Sequence, residues 1–227
     1  ENIQNLISLG FSNVVPILDN KFELDLLQKD FDKKFKIGIR IAAEEEPKFD
    51  FYTSRLGIRY NDIIPYYTKH IANNPDVELK ILHFFINTGV KDTAYYWNEL
   101  SKAVNLYCEL KKKCPELDSL NIGGGFPIQT HLDMSYDYEY IAEEIIAQIK
   151  NICTQNGVPE PNIFTEFGSY TVGESGAMLY SIVNQKKQND RELWDMIDSS
   201  FMTTLPDTWA INQRYVFLAI NNWDSEY

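Results

Sequence analysis

Short apolar runs that alternate with helix-patterned stretches most narrow what this chain can fold into. In residues 36–42, KIGIRIA, Ile37, Ile39 and Ile41 share one face and Gly38, Arg40 and Ala42 the other, the period-two pattern of a strand. Residues 77–87, VELKILHFFIN, are apolar on both parities from Ile81 onward, which suits a parallel strand covered on both sides. Further strands are expected at residues 14–18, at SLNI (119–122) and at NIFTEF (162–167). Between them lie helical patterns. ENIQNLISLG stops at Gly10, a second helix spans about Phe22 to Lys29, and a third is capped by Asn61 or Asp62 with Pro65 in its first turn. Asp92 to Lys113 carries Trp97, Leu100, Val104 and Cys108 at helical spacing with Asp92 as N-cap, and a last helix runs from about Tyr138 to Asn156.

Strands and helices in this order, joined by short loops, specify βαβ units and a parallel sheet, the α/β class. Beyond residue 168 the pattern changes. SYTVGESGAMLYSIVNQKK and RYVFLAINNW read as strands with no helical crossover between them, so a β-rich second domain is expected to begin near residue 170.

Composition removes several classes of function. Lys and Arg total 21 against 33 Asp and Glu, a formal net charge of −12. The one basic run, Lys111 to Lys113, is short and sits at a helix end, so nucleic acid is not an expected partner. Neither a run of about 18 apolar residues nor a basic-then-apolar leader occurs, and no membrane span or signal peptide is expected. Cys108, Cys114 and Cys153 are odd in number and match no zinc spacing; Cys153 is in register with Ile141, Ile145 and Ile149, a buried reduced thiol in a cytoplasmic protein. His70, His83 and His131 are too scattered for a metal cluster, and His83, on the parity of Phe85 in a buried strand, reads as a hydrogen-bonded core residue. Loops of the GxxxxGK[ST], GxGxxG, HExxH and GxSxG types are absent, which sets aside the common nucleotide-binding and hydrolase chemistries.

What remains is concentrated where strands end. Gly123, Gly124 and Gly125 follow SLNI directly, and three glycines there allow a concave set of N–H donors that an anion such as phosphate can approach. A tight turn needing positive φ accounts for the same glycines equally well. Arg40 lies on the parity opposite its isoleucines; if those pack against the helices, it faces the interior near the strand end and needs an anionic partner, whereas taken singly Arg40, Glu166 and Thr88 each read more simply as strand-end residues reaching solvent. Glu166 closes NIFTEF, and Thr88 ends the 77–87 run with a hydroxyl beside Gly89. An arginine, a hydroxyl, a glycine nest and an acid at four successive strand ends suit a phosphorylated, nitrogen-containing cofactor.

HFFINTG (83–89), LNIGGGFPI (120–128), TEFGSY (165–170) and TLPDTWAINQRY (204–215), in this order and spacing, resemble the biosynthetic arginine decarboxylases. These belong to the fold-type III, alanine-racemase-like pyridoxal phosphate (PLP) enzymes, with the ornithine and diaminopimelate decarboxylases. The resemblance implies a (β/α)8 TIM barrel, of which residues 1–169 would be the carboxy-terminal part, followed at residues 170–227 by the beginning of a C-terminal β domain. It implies PLP at the barrel mouth, with Mg2+ allowed as a second cofactor, and active sites shared across a homodimer or higher oligomer. Carried over to this chain, Gly123, Gly124, Gly125 and Thr88 would hold the cofactor phosphate, and Glu166 would pair with the pyridine nitrogen. Arg40 matches a strand-end arginine beside the cofactor, and Ser54 to Gly57 matches a family S-K-F-G segment.

Two positions depart from the pattern. Phe85 stands where the family has a histidine that stacks on the pyridine ring; it can stack but cannot titrate. Ser169 stands where an E-P-G-R-like motif has an arginine for the phosphate. The Schiff-base lysine of the family pattern lies upstream of residue 1, and its substrate-binding cysteine and aspartate lie past Tyr227, so the chain is expected to be the middle of a longer protein. The activity implied is decarboxylation of L-arginine to agmatine and carbon dioxide in polyamine synthesis. A relative acting on ornithine, lysine or a carboxylated polyamine is the nearest alternative, and a non-catalytic regulatory or dimerisation subunit, suggested by Phe85 and Ser169, is one of another class.

Overall fold

The computed structural model describes residues 2–31, 34–43, 54–86, 89–130, 132–210 and 212–222. They form two compact units, Glu1–Phe126 with Asp137–Gly168, and Pro127–Tyr136 with Ser169–Tyr227.

In the first unit the elements run α1 (Asn2–Ser8), β1 (Ile17–Leu18), α2 (Glu23–Asp30), β2 (Phe35–Ala42), β3 (Ile58–Arg59), α3 (Tyr60–Tyr66), β4 (Val77–His83), α4 (Ala94–Lys111), β5 (Ser119–Asn121), α5 (Tyr138–Asn156) and β6 (Asn162–Phe164). The sheet order is β1-β2-β4-β5-β6 with β3 also on β2, and every pairing is parallel. That is the expected α/β architecture, with helical crossovers returning the chain to the same end of the sheet. Ile37, Ile39, Leu82 and Leu120 are fully covered, and Leu100, Ala103, Val104, Tyr107 and Cys108 of α4 are at or near zero exposure. Each such aliphatic side chain contributes about 1.5–3 kcal/mol by leaving water. On α5 the buried residues are Ile141, Ile145, Ile149 and Cys153, the stripe expected from their spacing. The sulfurs of Cys108 and Cys153 approach to 3.9 Å between the two helices, and all three cysteines are free and buried.

Several local expectations are corrected. The N-cap of α4 is Thr93, whose side chain accepts from the Tyr96 N–H, while Asp92 accepts from Trp97 Nε1 at 2.7 Å. Tyr60 opens α3 with no side-chain cap, and Pro65 lies beyond the first turn. A π-helical stretch, Tyr67–Ile71, follows, closed by Ala72 N–H to Tyr67 O. Pro65 can donate no rung of the helical ladder, and the wider turn begins two residues after it. The run expected as a strand over 77–87 is paired only to His83, and the strand expected at 14–18 is reduced to two residues. Within β4 the register shifts by one between its pairs with Ile37 and Gly38, a bulge at Lys80, which bonds Glu78 and Asp118 at 2.9 and 3.2 Å.

The second unit holds an antiparallel hairpin, β7 (Ile182–Lys187) with β8 (Leu193–Ile197), and the short helices α7 (Phe201–Thr204) and α8 (Asp207–Ala210). The expected strand at RYVFLAINNW is absent among residues 212–222, where Phe217, Leu218 and Ile220 are exposed. Strand propensity is expressed only where a neighbouring strand supplies a ladder, and none is present there among the described residues. The early part of SYTVGESGAMLY is likewise not a strand: a single helical turn, α6 (Gly168–Val172), opens it. Among the described residues no helix is long and apolar enough to cross a membrane.

Candidate cofactor site

Parallel register sets the site. Arg40 of β2 pairs with His83 of β4, His83 with Asn121 of β5, and Asn121 with Phe164 of β6. Partners in register point to the same face, and Glu166 lies two residues past Phe164, so Arg40, His83, Asn121 and Glu166 share one face at the carboxyl ends of their strands. Asn121 Nδ2 donates to Glu166 Oε1 at 2.9 Å, and His83 Nε2 lies 3.4 Å from the same oxygen. Among the described residues Oε2 has no partner, and the side chain is half exposed.

The glycine segment lies beside this acid. Asn121 Oδ1 accepts from the Gly123 N–H at 2.8 Å, and Gly123 O accepts from the Glu166 N–H at 2.8 Å. Gly125 O accepts from Val90 N–H at 2.9 Å, bringing the turn after β4 against it. A Cβ on Gly124 would sit 2.5 Å from Glu166 O, and one on Gly125 2.6 Å from Gly89 Cα, so side chains are excluded by backbone packed on both sides. The N–H groups of Gly124 and Gly125 have no partner among the described residues. Two undirected amide donors beside an anchored carboxylate fit a ligand with an anion at one end and a protonated ring nitrogen nearby. Phe126 stacks on Phe167 with ring centroids 4.1 Å apart, fastening GGGFP to EFG.

Arg40 finds its anionic partner in Asp19, just past β1, at 3.9 Å, and its guanidinium lies 5.6 Å from the Phe85 ring centroid. Asp19 Oδ1 also accepts from the Gly57 N–H at 3.0 Å, which ties the SRLG segment to the ends of β1 and β2. Thr88 lies outside the described residues. Ser169 is exposed and belongs to the second unit.

His83 differs from its reading as a hydrogen-bonded core residue. It is 8% exposed, yet Nε2 has no hydrogen-bond partner. Burial lowers its pKa from the ordinary imidazole value, the Glu166 charge opposes this, and the Arg40 guanidinium adds to it. Asn121 and Asp19 were not singled out in the sequence. The available signal for Asn121 was its place two residues before Gly123, the spacing of an amide that bonds its own backbone two residues on.

A cavity of about 140 Å3 lies at the opposite, amino end of β4, lined by Lys34, Tyr67, Val77, Glu78, Cys114 and Glu116. Lys34 there pairs with Glu78 at 3.2 Å, and the Tyr67 hydroxyl donates to Lys113 O at 3.2 Å. Site chemistry in parallel α/β folds gathers at strand carboxyl ends, where the unpartnered donors lie.

The chain is 28% identical over 165 residues to the biosynthetic arginine decarboxylase of Citrifermentans bemidjiense, covering 67% of this chain and 26% of the relative. It therefore spans about a quarter of the length of that curated relative. Among solved structures, diaminopimelate decarboxylase from M. jannaschii in complex with L-lysine superposes with a TM-score of 0.77 at 20% identity, covering 94% of this chain and 50% of that one. Lysine decarboxylase from Selenomonas ruminantium gives 0.71 at 19% identity, covering 93% and 52%. At these identities the superpositions establish the fold alone. Residues 1–173 match the pyridoxal binding domain of the pyridoxal-dependent decarboxylases, and the chain belongs to that family.

Proposed function

We propose that this chain forms the cofactor-binding part of a PLP-dependent decarboxylase that converts L-arginine to agmatine and carbon dioxide. The observation that carries the reading is the convergence of Glu166, Asn121 and the Gly123 to Gly125 nest on one face at the strand carboxyl ends. Bound PLP supplies an electron sink for the electron pair left at Cα when carbon dioxide departs. The amide N–H groups of Gly124 and Gly125 would hold the phosphate, with Thr88 assigned to the same group. Glu166 Oε2 would accept from the ring nitrogen and keep it protonated, and Phe85, braced by Arg40, would cover a ring face. Similarity to arginine decarboxylases supports the choice of substrate. Residues 1–169 are assigned to the barrel and 170–227 to the start of a β domain, in a cytoplasmic homo-oligomer.

The test is product analysis of the whole protein supplied with PLP and, in separate reactions, L-arginine, L-ornithine and L-lysine. Agmatine and carbon dioxide from arginine alone are expected. Release from ornithine or lysine instead would reassign the substrate, and PLP binding with no release from any of them would favour the non-catalytic alternative that Phe85 and Ser169 suggest.

A further inference from the structure

The geometry points to Asn121 as a positioning residue that locks Glu166 to the glycine nest and so fixes which carboxylate oxygen meets the cofactor. Its amide faces two ways. Oδ1 accepts from the Gly123 N–H at 2.8 Å, while Nδ2 donates to Glu166 Oε1 at 2.9 Å. One side chain therefore connects the group that would hold phosphate to the group that would hold the ring nitrogen. A half-exposed glutamate at a strand end has rotamers to spare, and without an anchor it would swing into water. His83 does not provide the anchor, since its 3.4 Å approach to Oε1 leaves Nε2 without a hydrogen bond. With Oε1 engaged by Asn121, Oε2 is the oxygen left to accept a ring N–H.

An amide is the side chain this task needs. A carboxylate could accept from Gly123 but could not donate to Glu166. A serine could keep the bond two residues on but could not reach the acid. Asn121→Ser thus separates the two halves of the role, preserving the turn while releasing Glu166. This inference rests on the PLP reading above.

The experiment loads the protein with pyridoxamine 5′-phosphate labelled with 15N in the ring, whose chemical shift reports protonation of that nitrogen. Wild type, N121S, E166A and the double variant N121S/E166A are titrated with pH, with circular dichroism confirming that each is folded. In wild type the ring nitrogen should remain protonated well above its midpoint in solution. N121S should lower that midpoint by about one pH unit, a tenfold loss of proton affinity. E166A should lower it further, and the double variant should match E166A, because Asn121 acts through the acid. Equal midpoints in wild type and N121S, or additive losses in the double variant, would overturn the role of Asn121 while leaving the cofactor site standing. Failure of folded wild type to bind the probe would instead remove the cofactor reading, and the role with it. If N121S does not fold, the wild-type 1H–15N signal of the Asn121 side-chain amide carries the test: it should move in E166Q, and an unmoved signal would refute the clamp.

Discussion

Replacing Gly124 by alanine isolates a single contact at the centre of the site. Gly124 does not have positive φ, so an added methyl meets no backbone strain; its Cβ meets Glu166 O at 2.5 Å and Glu166 Cβ at 3.6 Å. Ordinary contact requires a retreat of about 1 Å. Glu166 cannot retreat freely, because its N–H is bonded to Gly123 O at 2.8 Å and Ile122 N–H to Phe164 O at 2.9 Å. Overpacking costs about 1–3 kcal/mol and the weakened hydrogen bond about 1 kcal/mol more, or roughly 2–4 kcal/mol in all. Gly157 supplies the opposite control. It caps α5 at φ 65 with nothing within 4 Å of an added Cβ, so alanine there costs only the left-handed strain, about 1–2 kcal/mol. In urea unfolding followed by circular dichroism at 222 nm, with a slope of about 2 kcal/mol per molar, G124A should lower the midpoint by about 1–2 M. The G157A shift should be about half as large. A G124A midpoint equal to wild type, or a smaller shift than that of G157A, would refute the contact as the reason for the glycine.

Other outcomes follow from individual groups. Thr93→Ala should destabilise α4 by about 1 kcal/mol in the same assay, and Asp92→Ala by less, since only Thr93 caps a backbone N–H; the reverse order would return the cap to Asp92. Cys108 and Cys153 have no exposure, and burial pushes the Cys153 thiol up to about 12. Neither should react with a thiol reagent at mildly alkaline pH until urea unfolds the chain, and prompt modification of native protein would contradict that burial. His83 is held below the ordinary imidazole value of 6.5 by burial, against Glu166 and Asp19 and with Arg40. Its contribution to stability is therefore full above pH 6.5 and is lost as pH falls through the folded-state value. Stability measured across this range should decline toward acid more steeply in wild type than in His83→Gln, and parallel curves would show that His83 does not titrate as its burial requires.

Much of this was legible along the chain because each signal was local. The isoleucine alternation of residues 36–42, the α5 stripe ending at Cys153 and the glycine run after SLNI depend on near neighbours, and their elements formed where expected. Arg40 was readable as a buried cation in need of an acid, but Asp19 as that acid was not, because β1 and β2 meet through a pairing that no spacing encodes. The tail at RYVFLAINNW failed for the converse reason, strand-forming residues without a strand to pair with.

By itself the sequence determined a parallel α/β sheet and the resemblance to its family, and it proposed the acid, glycines and arginine of the candidate site. Only the tertiary structure decided which side chains face one another across the strands. Counted by alternation from the pair Ile37 and Leu79, the residue opposite Arg40 would be Leu82, an apolar side chain. The bulge at Lys80 inserts one residue into β4, and Arg40 pairs instead with His83, which pairs in turn with Asn121. A shift of one residue turns every later side chain to the opposite face, so this insertion places His83, still buried, beside Glu166, with its Nε2 lacking the hydrogen bond expected of a core histidine.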